Sequence, residues 1–100
     1  MSYRYRILSS AARELEHEIA YSAKHWGKQH ARAYRQGLFA AIKRIVANPL
    51  AYPQRPEIGE GYRLVRYKGN YIVYAINEAE TYVEIMGFPS IHHALPQGEN

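Results

Sequence analysis

The stretch EGYRLVRYKGNYIVYAI, residues 60–76, contains two arginines, four tyrosines and a central Lys-Gly-Asn. Tyrosines and β-branched residues recur on both sides of Lys68-Gly69-Asn70, a sequence typical of a tight turn. The stretch therefore predicts a β-hairpin, and a similar run near the end of the chain predicts one more strand. The three strands are expected at residues 62–67, 71–76 and 82–88.

Two amphipathic helices are predicted upstream of this meander, because apolar residues recur there at helical spacing. The first helix ends at Gly27, since glycine readily adopts the left-handed conformation that terminates helices. The second ends at Asn48, because Pro49 disfavours helical geometry in the residue before it. The short connection makes the two helices an antiparallel hairpin. The apolar stripes are Ala12, Leu15, Ile19, Ala23 and Trp26 in the first helix and Ala31, Tyr34, Leu38, Ile42 and Ile45 in the second.

A first strand is predicted at residues 3–8, where tyrosine and arginine alternate ahead of the helices. Residues 48–61 contain three prolines and two glycines, so we expect an irregular crossing from the helices to the sheet. The resulting order, β-α-α-β-β-β, predicts an α+β fold in which the helical hairpin packs on one face of a mostly antiparallel four-stranded sheet. We expect one domain over residues 1–95 and a disordered tail at residues 96–100.

Charge and composition narrow the class of partner. The chain has 13 lysines and arginines against nine acidic residues, and no carboxylate lies between Glu18 and Glu57. This distribution favours an anionic partner, either nucleic acid or an acidic protein segment, although a solvated helix face would give the same pattern.

Because the chain has no cysteine and no apolar run of about 20 residues, we expect a cytoplasmic protein without a membrane partner. No cofactor and no metal site are predicted, since the histidines include no i, i+4 pair.

Three segments together resemble the RelE/ParE toxin superfamily. They are YRILSSAARELEHEIAYSAKHWGKQHARAYRQGLFAAIKRIVANP at residues 5–49, GYRLVRYKGNYIVYAI at residues 61–76 and VEIMGF at residues 83–88. The shared features are an opening strand that runs into Ser-Ala, Trp-Gly between the helices, Asn-Pro after the second helix, and Gly-x-Arg before Tyr-x-x-x-Tyr. The order and spacing of these features carry the resemblance, which covers nearly the whole chain.

The resemblance implies a toxin of a type II toxin–antitoxin pair, a kind of module known for plasmid stabilization. The partner would be a cognate antitoxin whose acidic segment is disordered until it binds. ParE-like members of the superfamily inhibit DNA gyrase, whereas RelE-like members cleave mRNA on the ribosome. A degenerate member would bind its antitoxin without being toxic.

Cleavage of RNA through a 2′-hydroxyl requires a base, an acid and cations around one phosphate. The resemblance places Arg63 on the second strand as the phosphate clamp. Arg55 would assist it, and His92 or His93 would carry the proton, because imidazole titrates near neutral pH. These four residues are the candidate catalytic set if the protein is a RelE-like ribonuclease.

The end of the last strand argues against that chemistry. RelE-like ribonucleases carry a basic residue there, whereas this chain has the neutral Gly87 and Pro89. We therefore predict a ParE-like toxin that inhibits DNA gyrase by binding and has no catalytic residues of its own. In such a protein Arg63 would meet a carboxylate of a partner or, within the chain, that of Glu57 or Glu84.

Aromatic residues and arginine are favoured anchors at protein interfaces. For the tyrosines and the tryptophan the alternative is a place in the sheet and core, where their large apolar surface is also suited. The predicted partner-binding residues are Trp26, Arg32, Arg35, Arg63, Tyr67, Tyr74 and Phe88.

Overall fold

The computed structural model of the protein describes residues 3–92. The elements follow in the predicted order. They are β1 (Arg4–Ile7), α1 (Ser9–Trp26), α2 (Lys28–Ala47), a 3₁₀ turn (Pro49–Ala51), β2 (Arg63–Tyr67), β3 (Asn70–Asn77) and β4 (Tyr82–Gly87). The predicted disordered tail at residues 96–100 and the end of the predicted domain lie outside the described residues, so both stay predictions.

The four strands form one mixed sheet in the order β1-β4-β3-β2. β2, β3 and β4 form the predicted antiparallel meander, whereas β1 runs parallel to β4. The helical hairpin and the irregular segment after it carry the chain from β1 at one edge of the sheet to β2 at the other. The predicted fold class, a helical hairpin on a mostly antiparallel sheet, is confirmed. In residues 3–92 no helix is long and apolar enough to cross a bilayer.

The core lies between the helical hairpin and one face of the sheet. Of the seven largest fully buried side chains, three belong to the predicted apolar stripe of the second helix and four belong to the two central strands. The largest fully buried side chains are Leu38, Ile42, Ile45, Ile72, Tyr74, Val83 and Ile85. Because β3 and β4 have a neighbour on each side, their inward side chains have little contact with water.

Tyr67 of β2 packs against the second helix at Gly37. A Cβ added at Gly37 would lie 2.0 Å from the Tyr67 hydroxyl oxygen, far inside van der Waals contact. The same hydroxyl donates a hydrogen bond to the Tyr34 carbonyl at 3.2 Å, and the two tyrosine rings meet edge to face with centroids 5.3 Å apart. The absence of a side chain at Gly37 therefore lets Tyr67 pack directly on the helix.

Gly37→Ala is expected to lower the free energy of unfolding by about 1–3 kcal/mol, because overpacking outweighs the gain of about 1 kcal/mol in helix propensity. As a control, Gly37→Ala is also made in the Tyr67→Phe variant, which lacks the oxygen that the new methyl group would contact. Urea unfolding of both single variants and the double variant measures the coupling. We expect a much smaller cost in the Tyr67→Phe background; equal costs in the two backgrounds would contradict the contact.

Candidate functional site

Arg63 begins β2 and is half-buried. Its Nη1 donates a hydrogen bond to the backbone carbonyl of Tyr52. Neither carboxylate considered from the sequence is its partner, since Glu57 pairs with Arg55 and Glu84 pairs with Arg6. Because a guanidinium has five N–H donors, Arg63 retains donors for an anion that approaches this end of the sheet.

Arg55 lies two residues from the carboxylate that it binds, and the ion pair is partly exposed to solvent. The Nε of Arg55 donates to Oε2 of Glu57. The backbone N–H of Glu57 and the guanidinium of Arg55 together lower the pKa of the Glu57 carboxyl, so it stays ionised at neutral pH. The pairing with Glu57 places a carboxylate beside Arg55, so a phosphate that approached Arg55 would also meet a negative charge.

His92 lies at the opposite end of β2 from Arg63. Ile91, its chain neighbour, donates its backbone N–H to the carbonyl of Gly69 in the β2–β3 turn at 2.9 Å. The rise along β2 from Arg63 to Tyr67 alone is about 13 Å at ~3.3 Å per residue. The described residues thus do not bring Arg63 and His92 to one phosphate.

The last member of the candidate catalytic set, His93, lies outside the described residues. Its predicted role as an alternative proton carrier therefore stays a prediction. The side chain of its neighbour His92 is exposed.

Asn70 holds the segment after β4 against the start of β3. Its side chain is buried, and its Nδ2 donates to the Phe88 carbonyl at 2.9 Å. Its Oδ1 accepts a hydrogen bond from the Tyr34 hydroxyl at 2.6 Å. Burial raises the pKa of Tyr34 to about 12, so this hydroxyl stays protonated as a donor at neutral pH. From the sequence, Asn70 was expected only in a turn, because an asparagine after Lys-Gly gives no sign of its burial.

A groove of about 290 Å³ lies between the corner of the helical hairpin and the β2–β3 turn. Trp26 is 68% exposed beside it, and Tyr21, one helical turn and a half earlier, is 54% exposed. The His25 ring stacks on the Tyr21 ring at 3.9 Å. The groove is lined by Glu18, Tyr21, Ser22, Trp26, His30, Tyr34, Lys68, Gly69, Asn70, Ser90 and His92.

The predicted partner-binding arginines of α2 differ in their surroundings. Arg32 is exposed, whereas Arg35 binds Glu16 at 3.2 Å and lies over the Phe39 ring at 5.3 Å. The Arg35–Glu16 pair is solvent-exposed and contributes little to stability. Of the two, Arg32 is therefore the more accessible to a partner.

Three predicted partner-binding aromatics are partly or fully enclosed. Tyr67 is half-buried against α2. Tyr74 is completely buried, and Phe88 is only 3% exposed. We correct these last two assignments: the central position of β3 and the packing of Phe88 under α1 make both side chains part of the core, where they are inaccessible to a partner.

The face of the sheet opposite the helices carries a second cationic feature. The guanidinium carbons of Arg4 and Arg6 each lie 4.6 Å from the centre of the Tyr82 ring, and Arg6 also binds Glu84. Neither arginine was among the candidate residues predicted from the sequence. The alternation of tyrosine and arginine in β1 was the signal that could have found them, because alternate side chains of a strand share one face.

Both edges of the sheet have backbone groups that point away from it. The N–H of Arg4 donates to the carbonyl of Thr81, just before β4, at 3.0 Å, and that of Leu8 donates to the carbonyl of Ile85 in β4 at 3.1 Å. Because N–H groups alternate in direction along a strand, those of Tyr5 and Ile7 point outward. At the other edge, Gln54 forms a bridge to the first residue of β2. Among residues 3–92, no strand pairs with the outer edge of β1, whereas the β2 edge is partly covered by Gln54.

Solved structures of toxin–antitoxin proteins share this architecture. A chain of the chromosomal ParDE system from P. aeruginosa matches with a TM-score of 0.78 and 13% identity, over 91% of this chain and 98% of that chain. A chain of the RelBE2 complex from Mycobacterium tuberculosis matches with a TM-score of 0.60 and 22% identity, over 90% and 99%. A search of curated proteins found no significant match. At these identities the likenesses show that the chain shares the fold of these proteins.

The sequence itself gives the narrower assignment. The family model of the ParE toxin of the type II toxin–antitoxin system, parDE, matches residues 5–89. That match extends over β1, both helices and the whole meander. The chain belongs to the ParE toxin family, so the resemblance found from its motifs is confirmed.

Proposed function

We propose that this toxin inhibits DNA gyrase by binding it and that a cognate antitoxin neutralises it. The observation that carries the proposal is the placement of Arg63 and His92 at opposite ends of β2. Membership of the ParE family supports gyrase as the target, because ParE-like toxins act on that enzyme. Gyrase and antitoxin would both meet the toxin in the cytoplasm.

A ribonuclease of this size would need its cations and its proton carrier at one phosphate. General acid–base groups contribute roughly 10²–10⁴-fold each, and a cationic clamp contributes about 3–4 kcal/mol. These contributions depend on simultaneous contact with the reacting group. With Arg55 paired to Glu57 and Arg63 remote from His92, the described residues favour binding over strand scission.

The antitoxin segment is expected to add a strand at an open sheet edge. The outward N–H groups of Tyr5 and Ile7 offer main-chain hydrogen bonds to an extended chain at β1. An acidic segment would also be attracted by the basic surface of the toxin, whose formal charge is +4. The free donors of Arg63 suit a carboxylate, which would form a charge-assisted hydrogen bond.

Two assays side by side test the proposal. Purified toxin is expected to inhibit supercoiling by gyrase and to leave ribosome-bound mRNA intact, and prior addition of antitoxin is expected to restore supercoiling. The rival RelE-like function is favoured by the presence of His92 and Lys68 in one groove. It predicts that the toxin cleaves ribosome-bound mRNA and leaves supercoiling by gyrase unaffected. Cleavage of ribosome-bound mRNA without an effect on gyrase would overturn the proposal.

Replacing His92 and His93 together by alanine is expected to leave toxicity largely intact and gyrase inhibition within about threefold of wild type. An exposed side chain at the rim of an interface contributes little binding energy, whereas a catalytic proton carrier contributes roughly 10²–10⁴-fold. Circular dichroism should confirm that the double variant is folded. Loss of toxicity in a folded double variant would point to the ribonuclease instead.

A further inference from the structure

The corner of the helical hairpin presents two large aromatic side chains to solvent. Within residues 3–92 the exposed large apolar side chains are Tyr21, Trp26 and Leu50, and the first two lie together at this corner. Histidines brace both of them. His25 stacks on Tyr21, and the His30 ring from α2 lies 6.1 Å from that of Trp26. Aromatic groups held in this way lose little entropy on binding and are typical interface anchors.

The groove next to Trp26 is nearly neutral. The permanently charged side chains that line it are Glu18 and Lys68, which have opposite signs. Tyr34 supplies a further aromatic wall, half-buried and fixed through Asn70. A site for a nucleic acid backbone would need several cations facing one chain, so the groove is better suited to an apolar side chain of a protein.

Cations surround the corner outside the groove. Lys24, Lys28 and Arg32 are exposed on the last turn of α1 and the first turns of α2. No carboxylate occurs between Glu18 and Glu57 in the sequence, so this part of the hairpin has a single sign of charge. Charge complementarity therefore selects a partner segment with acidic residues around its apolar anchor.

We propose that this hairpin corner is the surface with which the toxin holds its target protein, through an acidic segment that inserts an apolar side chain beside Trp26. The inference rests on the proposed inhibition of gyrase and specifies where that binding occurs. The groove at the corner is lined by Lys68 and Gly69 of the β2–β3 turn. Because β2 lies three strand spacings from β1, about 14 Å, the corner is distant from the open edge of the sheet. An antitoxin strand at β1 therefore leaves the corner uncovered, and target binding and antitoxin binding are separable by mutation.

Trp26→Ala tests the inference, with Leu50→Ala as the matched control. Both residues are exposed, at 68% and 53%, so neither substitution removes a core side chain. We expect Trp26→Ala to raise the toxin concentration needed to inhibit gyrase by at least about 30-fold, the effect of an interface hot spot. Leu50→Ala is expected to stay within about threefold. The antitoxin dissociation constant is expected to change by less than about threefold in both variants.

A charge-reversed variant tests the acidic character of the partner independently. Lys28→Glu combined with Arg32→Glu is expected to slow association with gyrase at low ionic strength by about tenfold or more. The difference should shrink at high salt, where screening weakens interactions between exposed charges. An association rate that is unchanged at low salt would overturn the choice of an acidic segment.

The outcomes separate the inference from the proposed function. Wild-type toxin that leaves supercoiling unaffected overturns the function and the inference together. If the Trp26→Ala variant inhibits gyrase as well as wild type does, the inference alone is overturned. The inference is also overturned if Trp26→Ala weakens antitoxin binding to the same extent as gyrase inhibition. Binding of single-stranded oligonucleotide that depends on Trp26 would assign the corner to nucleic acid and would also overturn it.

Discussion

Tyr74→Ala should lower the free energy of unfolding by about 3–5 kcal/mol, the usual cost of truncating a large aromatic residue in a core. The Tyr74 side chain is completely buried on the central strand β3. Its hydroxyl donates to the Pro49 carbonyl at 2.8 Å, which ties the sheet to the 3₁₀ turn that follows α2. Truncation removes this bond as well as the packing of the ring. Since a domain of this size has about 5–15 kcal/mol of stability, the loss would be a large fraction of the total.

Urea unfolding followed by circular dichroism measures the effect, and Tyr74→Phe is the control. Tyr74→Phe keeps the ring and loses only the hydroxyl, so we expect a cost of about 1–2 kcal/mol for the unpaired Pro49 carbonyl. We also expect Tyr74→Phe to bind antitoxin as wild type does, because a core residue is inaccessible to the partner. An alanine variant as stable as wild type, or a phenylalanine variant defective only in binding, would contradict the core assignment.

The second large effect is expected for Asn70→Ala, at about 2–4 kcal/mol. The substitution leaves the Tyr34 hydroxyl and the Phe88 carbonyl without their hydrogen-bond partner in a buried place, and each such group costs about 1–3 kcal/mol. It also removes the side chain that fixes the segment after β4. Hydrogen exchange of the Ile91 amide, which donates to Gly69, should therefore accelerate more than that of the central strands.

Asn77→Ala provides the control for this experiment. Asn77 ends the same strand, but its Oδ1 accepts one exposed hydrogen bond, from the Glu80 N–H at 3.2 Å. Because water replaces such a partner, we expect a loss below about 1 kcal/mol and unchanged exchange at Ile91. If the two asparagine variants behaved alike, the buried network around Asn70 would not have the role that its geometry indicates.

The order of elements was accessible from the sequence because each boundary depends on local chemistry. Gly27 has a φ of 99°, so the positive backbone angle that separates the helices favours the glycine found there. Pro49 begins the 3₁₀ turn that follows α2. The Lys68-Gly69 turn joins β2 to β3, as the spacing of the strands predicted. None of these features depends on distant parts of the chain.

The burial and pairing of the candidate site residues depend on contacts between distant parts of the chain, so they were harder to predict from the sequence. Tyr67 and Tyr74 look alike in the sequence, yet one lies on an edge strand and the other on a central strand, and only the strand order distinguishes them. Arg63 donates to a backbone carbonyl, which no pattern of charged residues could reveal. The exposure of Trp26 was also hidden, because tryptophan at helical spacing is equally suited to a core. Charge patterning located the basic surface, but not which cations are paired.

The parallel pairing of β1 with β4 has a consequence for biosynthesis. Arg4 is in register with Tyr82, so within residues 3–92 the first strand of the sheet pairs with a strand 78 positions further along the chain. Loop closure over such a separation is slow compared with local folding. A nascent toxin would thus lack a complete sheet until β4 itself has been synthesised and has reached β1.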